Sequence, residues 1–205
     1  MKSNIVFWLI FFIFQCSYGA DDNESWTKIS IEKKLTYSLK LELSQGLRFK
    51  DHISTFKQAF FEVSLAHKVS NGLKFNIPYR YTIFEDKIKH RLSFGTSYQY
   101  SFKPVILKYR IKIDKLYENG NLIRNKFTIK YKTGKKINPY ISGELFNIYI
   151  TDNNSLDEYR TSLGIEIDLP SKNSINIFYT VKKENVTNAS SDEINVFGFS
   201  YSSKI

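Results

Sequence analysis

Leu73-Lys74-Phe75-Asn76-Ile77-Pro78-Tyr79-Arg80-Tyr81-Thr82-Ile83 is the stretch that decides the fold. Its odd positions are all aliphatic or aromatic, and its even positions are polar or charged apart from Pro78. A period of two is the mark of a β-strand with two unlike faces, because successive side chains point to opposite sides of a pleated backbone. Nothing in the stretch repeats at helical spacing.

The same split recurs on either side. Leu92, Phe94, Thr96, Tyr98 and Tyr100 oppose Arg91, Ser93, Gly95, Ser97 and Gln99. Val105, Leu107, Tyr109, Ile111 and Ile113 oppose Lys108, Arg110, Lys112 and Asp114. Ile123, Phe127, Ile129 and Tyr131 oppose Arg124, Lys126, Thr128 and Lys130; Tyr159, Leu163, Ile165 and Ile167 oppose Arg160, Ser162, Gly164, Glu166 and Asp168. Ile175, Ile177, Tyr179 and Val181 oppose Asn176, Thr180 and Lys182, and Tyr37, Leu39, Leu41, Leu43 and Leu47 oppose Lys40, Glu42, Ser44 and Arg48. These runs span about 9–13 residues, longer than the ~5–6 of an ordinary soluble strand and close to the ~9–11 of a tilted strand that crosses a bilayer.

The connections read as alternately short and long. Short ones fall near Ser70-Asn71, Ser101-Phe102, Thr133-Gly134 and Pro170–Asn173; longer polar ones span Lys50–Lys57, Phe84–His90, Asp114–Asn121, Thr151–Glu158 and Lys183–Glu193. Outer-membrane barrels have short periplasmic turns and longer outer loops. Counting from Tyr37 gives ten strands with both termini in the periplasm. Trp26–Lys33 adds one more strand, either an extra pairing partner or half of a pair that makes twelve.

Alternation alone does not say which face is inside. A soluble ligand-binding barrel is apolar within; a membrane barrel is inverted. Tyrosines gather near strand ends on the apolar face, Tyr79, Tyr81, Tyr149 and Tyr159 at one end and Tyr37, Tyr98, Tyr100 and Tyr201 at the other, like two interfacial girdles. Phe197, Phe199, Tyr201, Ser203 and Ile205 close the chain on one parity, as the targeting strand of an outer-membrane barrel does, although the last residue is Ile rather than an aromatic. All six arginines fall on the polar parity. Facing lipid, each would cost about 2–4 kcal/mol at the midplane; enclosed, they can pair with Glu42, Glu62, Glu144, Glu166 and Asp168. The polar parity is therefore expected inside.

The N-terminus reads as a secretory signal: Lys2, the apolar run Ile5–Phe14, then small residues that permit cleavage after Gly19 or Ala20. An uncleaved anchor is the alternative. Cys16, the only cysteine, lies within that signal, so the mature chain has no disulfide or thiol chemistry unless Cys16 is lipidated, and Gln15 is a poor residue to precede a lipidation site. The domain plan is thus a signal peptide over 1–19 and a single barrel over 20–205. Thirty Lys and Arg against 20 Asp and Glu give a net charge of +10. That excess is spread over every strand rather than gathered in a stripe, which argues against nucleic acid.

The candidate site is a lumenal charge network of Arg48, Arg80, Arg91, Arg110, Arg124, Glu144, Arg160 and Glu166, with Glu144 facing Arg80, Arg124 and Arg160. Its cations outnumber its carboxylates, so any narrow passage would favour anions. No catalytic, metal or cofactor site is expected. His52 and His90 fall in outer loops near Ser54 and Ser93 without the tighter motifs of a lipid-modifying barrel enzyme, and His67 sits at an interface. Asp152-Asn153-Asn154 lacks the spacing of a calcium loop. Asn185-Val186-Thr187 and Asn188-Ala189-Ser190 match the glycosylation pattern only by coincidence in a bacterium.

The opening Trp26 strand, Gly46-Leu47-Arg48-Phe49, Pro78-Tyr79-Arg80-Tyr81, Arg124-Asn125-Lys126, Asn138-Pro139-Tyr140-Ile141-Ser142-Gly143-Glu144-Leu145-Phe146, Tyr159-Arg160 with Gly164, and Phe199-Ser200-Tyr201 together resemble a family of small outer-membrane β-barrels, domain of unknown function 2490. The Pro-Tyr…Glu-Leu-Phe segment is the most specific. The resemblance runs from Trp26 to the C-terminus and implies a barrel in the outer membrane; it implies no activity.

The expectation is an all-β protein of a Gram-negative cell: a closed, antiparallel, up-and-down transmembrane barrel of about ten strands (ten to twelve), after a cleaved signal peptide. It would be a monomer in the outer membrane, contacting outer-membrane lipid and the barrel-assembly machinery, without enzymatic activity, structural or porin-like with a narrow anion-preferring passage. The alternatives are a lipid-modifying barrel enzyme of deacylase or esterase type and a soluble periplasmic lipid-binding barrel.

Overall fold

A computed structural model describes residues 20–115, 121–134, 136–150, 153–187 and 191–205. The signal segment with Cys16 and the Asn188-Ala189-Ser190 pattern lie outside the described residues, as does Asp152. Eleven strands follow in order: β1 (Asp22–Lys34), β2 (Leu39–Lys50), β3 (Thr55–Lys68), β4 (Leu73–Phe84), β5 (Ile88–Phe102), β6 (Val105–Lys115), β7 (Asn121–Tyr131), β8 (Ile137–Ile150), β9 (Asn153–Asp168), β10 (Ser174–Glu184) and β11 (Asp192–Lys204). They close into one barrel in which each strand pairs with its sequence neighbour and β1 pairs with β11.

The strand count corrects the sequence reading. The ten strands counted from Tyr37 are all present as β2 to β11, and Trp26–Lys33 belongs to an eleventh, β1. No twelfth strand accompanies it among the described residues. An odd number of strands cannot close by antiparallel pairing alone. The barrel meets this with one parallel seam, β1 beside β11, running from Asp22 opposite Ile194 to Glu32 opposite Lys204. On its other edge β1 pairs antiparallel with β2. The chain therefore enters β1 at one rim, here the N-terminal rim, and leaves β11 at the other, the C-terminal rim. The two ends of the barrel chain do not share a rim.

The connections are corrected too. At the C-terminal rim they are 35–38, 69–72, 103–104, 132–136 and 169–173; at the N-terminal rim they are 51–54, 85–87, 116–120, 151–152 and 185–191. The two rims carry connections of similar length, because the strands run on into segments that polar composition marks as loop. His90 and Asn153-Asn154 lie in β5 and β9. Left-handed backbone at Gly72 (φ 112°) and Gly134 (φ 73°) shapes two of the C-terminal turns. At the other rim, Asp51, His52 and Ile53 are all left-handed, a costly conformation for a β-branched residue. The N-terminus of β1 holds this loop: Asp22 accepts the backbone N–H of His52 at 2.9 Å and of Asp51 at 3.1 Å, and the Asn23 carbonyl accepts that of Ile53 at 3.1 Å.

The period of two sorts the faces. Every strand presents an exposed large apolar residue on the outer wall: Ile29, Leu43, Phe61, Ile77, Phe94, Ile111, Phe127, Ile141, Ile165, Ile177 and Phe199 from β1 to β11 in turn. The interior holds the polar parity, including buried Glu24, Ser44, Glu62, Ser93, Lys112, Asp114, Asn138, Glu144, Thr180 and Lys182. Two of the large rings that enter this interior do so where a cross-strand partner is glycine. Gly46 faces Phe60 and Gly198 faces Phe178; a Cβ at these glycines would lie 2.4 and 2.0 Å from the rings. Glycine lets the ring lie flat on the opposite backbone.

Candidate functional site

Among the described residues the lumen divides into a packed half and an open half. In the packed half, toward the N-terminal rim, three inward rings alternate with four guanidinium groups. Arg80 Cζ lies 4.0 Å from the Phe60 ring centre; Arg48 lies 5.8 Å from Phe60 and 4.0 Å from Trp26. Arg160 lies 4.9 Å from Trp26 and 4.3 Å from Phe146, and Arg124 lies 4.7 Å from Phe146. The series Arg80–Phe60–Arg48–Trp26–Arg160–Phe146–Arg124 thus joins β4, β3, β2, β1, β9, β8 and β7 across the barrel. Each contact sets a cation on the negative face of an aromatic ring, an attraction of about 0.5–2 kcal/mol that grows as water is excluded.

Carboxylates complete the packed half. Glu24, fully buried, accepts the Trp26 indole N–H at 2.6 Å and pairs with Lys57 at 2.5 Å and Lys182 at 2.9 Å. Lys182 also meets Glu184 at 2.6 Å. Glu62 takes Arg80 at 2.7 Å, and Glu158 takes Arg160. Arg124 bridges two carboxylates, Glu144 at 2.8 Å and Asp114 at 3.5 Å. Asp114 also faces Arg91 at 3.5 Å and Lys112 at 3.4 Å. Among the described residues Arg48 has no ion pair; its partners are the two rings.

The open half is a vestibule at the C-terminal rim, a cavity of about 280 Å³ lined by Gln99, Ile106, Lys108, Arg110, Lys126, Thr128, Lys130, Tyr140, Glu166 and Asn176. Lys130 pairs with Glu166 at 2.5 Å. Arg110 pairs with Glu144 at 2.9 Å, and Lys126 stands 3.7 Å from the same carboxylate.

All eight residues of the sequence-predicted network face the interior, but they form several separate groups. Glu144 gathers Arg124, as read from the sequence, together with Arg110 and Lys126 rather than Arg80 and Arg160. Those two have their own carboxylates, Glu62 and Glu158. Glu166 belongs to the vestibule wall. The sequence reading missed Glu24, Lys57, Lys182 and the three rings. The rings had a signal: Phe60 and Phe146 are aromatic residues on the polar parity, each beside an apolar neighbour of the opposite parity, Phe61 and Leu145.

The serine and histidine pairs do not assemble. His90 sits on the outer face of β5, its Nδ1 2.6 Å from the Tyr79 hydroxyl, whereas Ser93 is buried on the inner face. The Ser54 hydroxyl donates to the Asp51 carbonyl at 2.5 Å, and His52 lies 3.9 Å from Asp22. Among the described residues no three His, Cys, Asp or Glu side chains group as a metal site. No described helix is long and apolar enough to cross a membrane, which bears on helical spans alone.

No curated protein matches the chain. A family model does, that described as Protein of unknown function (DUF2490), over residues 23–193, a span that takes in β1 to β10 and the start of β11. The chain belongs to this family of β-barrels of unknown function.

Proposed function

We propose that the protein is a structural barrel of the bacterial outer membrane whose lumen is sealed by the ring and guanidinium series, leaving a blind vestibule at the periplasmic rim. The observation that carries this reading is the inversion of the faces. A soluble barrel exposing large apolar side chains on all of its strands would present a continuous apolar belt far larger than the few hundred Å² that soluble monomers show. The strands, 11 to 16 residues long, suffice to cross a hydrocarbon core at a steep tilt.

Two pairs of polar groups on the outer parity satisfy one another, as hydrocarbon demands. The Tyr109 hydroxyl donates to Asn125 at 2.8 Å, and the Tyr179 hydroxyl donates to Asn195 at 2.6 Å. A soluble carrier of an apolar ligand is disfavoured, since the interior holds charges where such a ligand would sit. The packed half also argues for a closed lumen over an open anion passage: Glu24, Lys182, Asp114 and Val196 are all at or below 1 % exposure. Orientation follows from the C-terminal strand, which in this reading ends in the periplasm.

Membrane fractionation and planar bilayers test it. The protein is expected in the outer-membrane pellet, released by detergent and not by osmotic shock, and to give no steady conductance after insertion. Release by osmotic shock would overturn the location; a stable open conductance in the native protein would overturn the seal.

A further inference from the structure

We infer that the vestibule at the C-terminal rim binds a phosphoryl anion, with Lys108, Lys126, Lys130 and Arg110 as its ligands. This deepens the reading above and rests on it in one respect: with the far half packed, an anion that enters at this rim is held rather than passed on.

The charge balance of the wall carries the inference. Four cations and one carboxylate line the cavity. That carboxylate, Glu166, is taken by Lys130 at 2.5 Å. Behind the wall, Glu144 holds Arg110 at 2.9 Å but stands 3.7 Å from Lys126 and is shared with Arg124. Lys108 has no ion pair among the described residues. The charges that bear on it most strongly are all positive: Arg110, Lys74, Lys130 and Lys126.

Like charges confined in a narrow lumen repel more strongly than in bulk water, and Glu166 and Glu144 balance the four cations of this wall only in part. An anion with several oxygens answers that imbalance. Phosphate does so better than chloride, because ammonium and guanidinium groups each take separate oxygens of it. The volume of about 280 Å³ admits a phosphate or a small phosphomonoester, not a bulky oligosaccharide. Gln99, Thr128, Tyr140 and Asn176 add neutral polar groups to the wall, suited to hydroxyls on a carbon moiety.

The phosphoryl group could come from a free solute or from a lipid headgroup, and titration calorimetry of the full barrel in detergent separates the two. The probes are inorganic phosphate, glycerol 3-phosphate and dihexanoyl phosphatidate, each at fixed ionic strength against chloride. At least one is expected to bind with one equivalent. Lys108→Gln and, separately, Lys126→Gln should weaken that binding at least tenfold, while Lys87→Gln, in a connection at the opposite rim, leaves it unchanged. Heat-dependent electrophoretic mobility confirms that each variant is folded. Tightest binding of either soluble probe assigns a solute; binding of the phosphatidate alone assigns a headgroup. No binding of any probe at millimolar concentration overturns the inference, as does binding that both vestibule variants retain. The titration does not require a bilayer, so a failed conductance or fractionation test leaves its result standing.

Discussion

Leu163→Arg tests the assignment of faces on which everything above depends. Leu163 is on the outer parity of β9, between Tyr179 of β10 and Ile141 of β8. It stands five residues from the end of β9 at Asp168. With a rise of about 3.3 Å per residue and a tilt near 45°, each residue climbs roughly 2.3 Å along the membrane normal. Leu163 is then about 12 Å from the C-terminal rim, near the middle of an apolar band about 25 Å tall. Arginine there should cost about 2–4 kcal/mol, a roughly 30- to 1000-fold loss in the folding equilibrium. Gln99→Arg is the inward-facing control, because Gln99 lines the vestibule; the four cations there raise its cost above the about 1 kcal/mol of an isolated solvated charge, but the added group stays hydrated and its cost stays below that of Leu163→Arg. Guanidinium titration of both variants in phosphatidylcholine vesicles, followed by tryptophan emission and heat-dependent mobility, measures the difference. Equal losses, or a larger loss for Gln99→Arg, would refute the assignment.

Arg124→Ala removes the guanidinium shared by Asp114 and Glu144; Asp114 keeps Arg91 and Lys112, and Glu144 keeps Arg110 and Lys126, so the loss should be about 2–3 kcal/mol, the scale of charged hydrogen bonds, and not that of an unpaired buried carboxylate. Arg48→Ala removes only ring contacts and should cost about 1–2 kcal/mol; the reverse order in the same titration would contradict the partners assigned here. Gly198→Ala forces a Cβ to within 2.0 Å of the Phe178 ring and should cost about 1–3 kcal/mol, with part of the loss recovered when Phe178→Ala is added. Ser25 and Phe197 are opposite each other across the parallel seam, so Ser25→Cys with Phe197→Cys should oxidise to an intramolecular disulfide that alters mobility without reductant. If that pair stays reduced while cysteines placed in β2 and β11 link directly, the barrel closes with ten strands and β1 lies outside it.

The faces were legible in the sequence because a period of two needs no knowledge of partners. Leu73 to Ile83 sorts its residues whichever strands lie beside it. Closure was not legible, because a parallel seam between the first and last strands has no hairpin to announce it and the even-number rule presumes antiparallel pairing throughout. The loops misled for a related reason: polar residues such as His90 and Asn153 extend strands beyond the apolar band, and composition alone reads them as connection. Ion partners were the least legible. Arg110 of β6 reaches Glu144 of β8 over the intervening β7, and Lys182 of β10 reaches Glu24 of β1 past β11. Such pairs depend on strand register and on curvature, neither of which a single strand encodes.

The division of the cations between the two halves of the lumen has a chemical logic of its own. Arginine is planar and weakly hydrated, so it can stack dry against a ring. Arg48 does this between Trp26 and Phe60 with no ion pair among the described residues. Lysine carries a compact, strongly hydrated charge, and in the packed half it is buried only with a carboxylate in reach, Lys182 with Glu24 and Glu184, Lys112 with Asp114. Among the described residues, Lys108 lines a cavity with no carboxylate in ion-pair reach, in the half that is open. The vestibule wall carries four cations against one carboxylate, a local excess that solubility alone does not require there. Its position at the rim, beyond the reach of the stacked rings, is what a chain needs if the vestibule is built to hold an anion and the other half to hold the barrel shut.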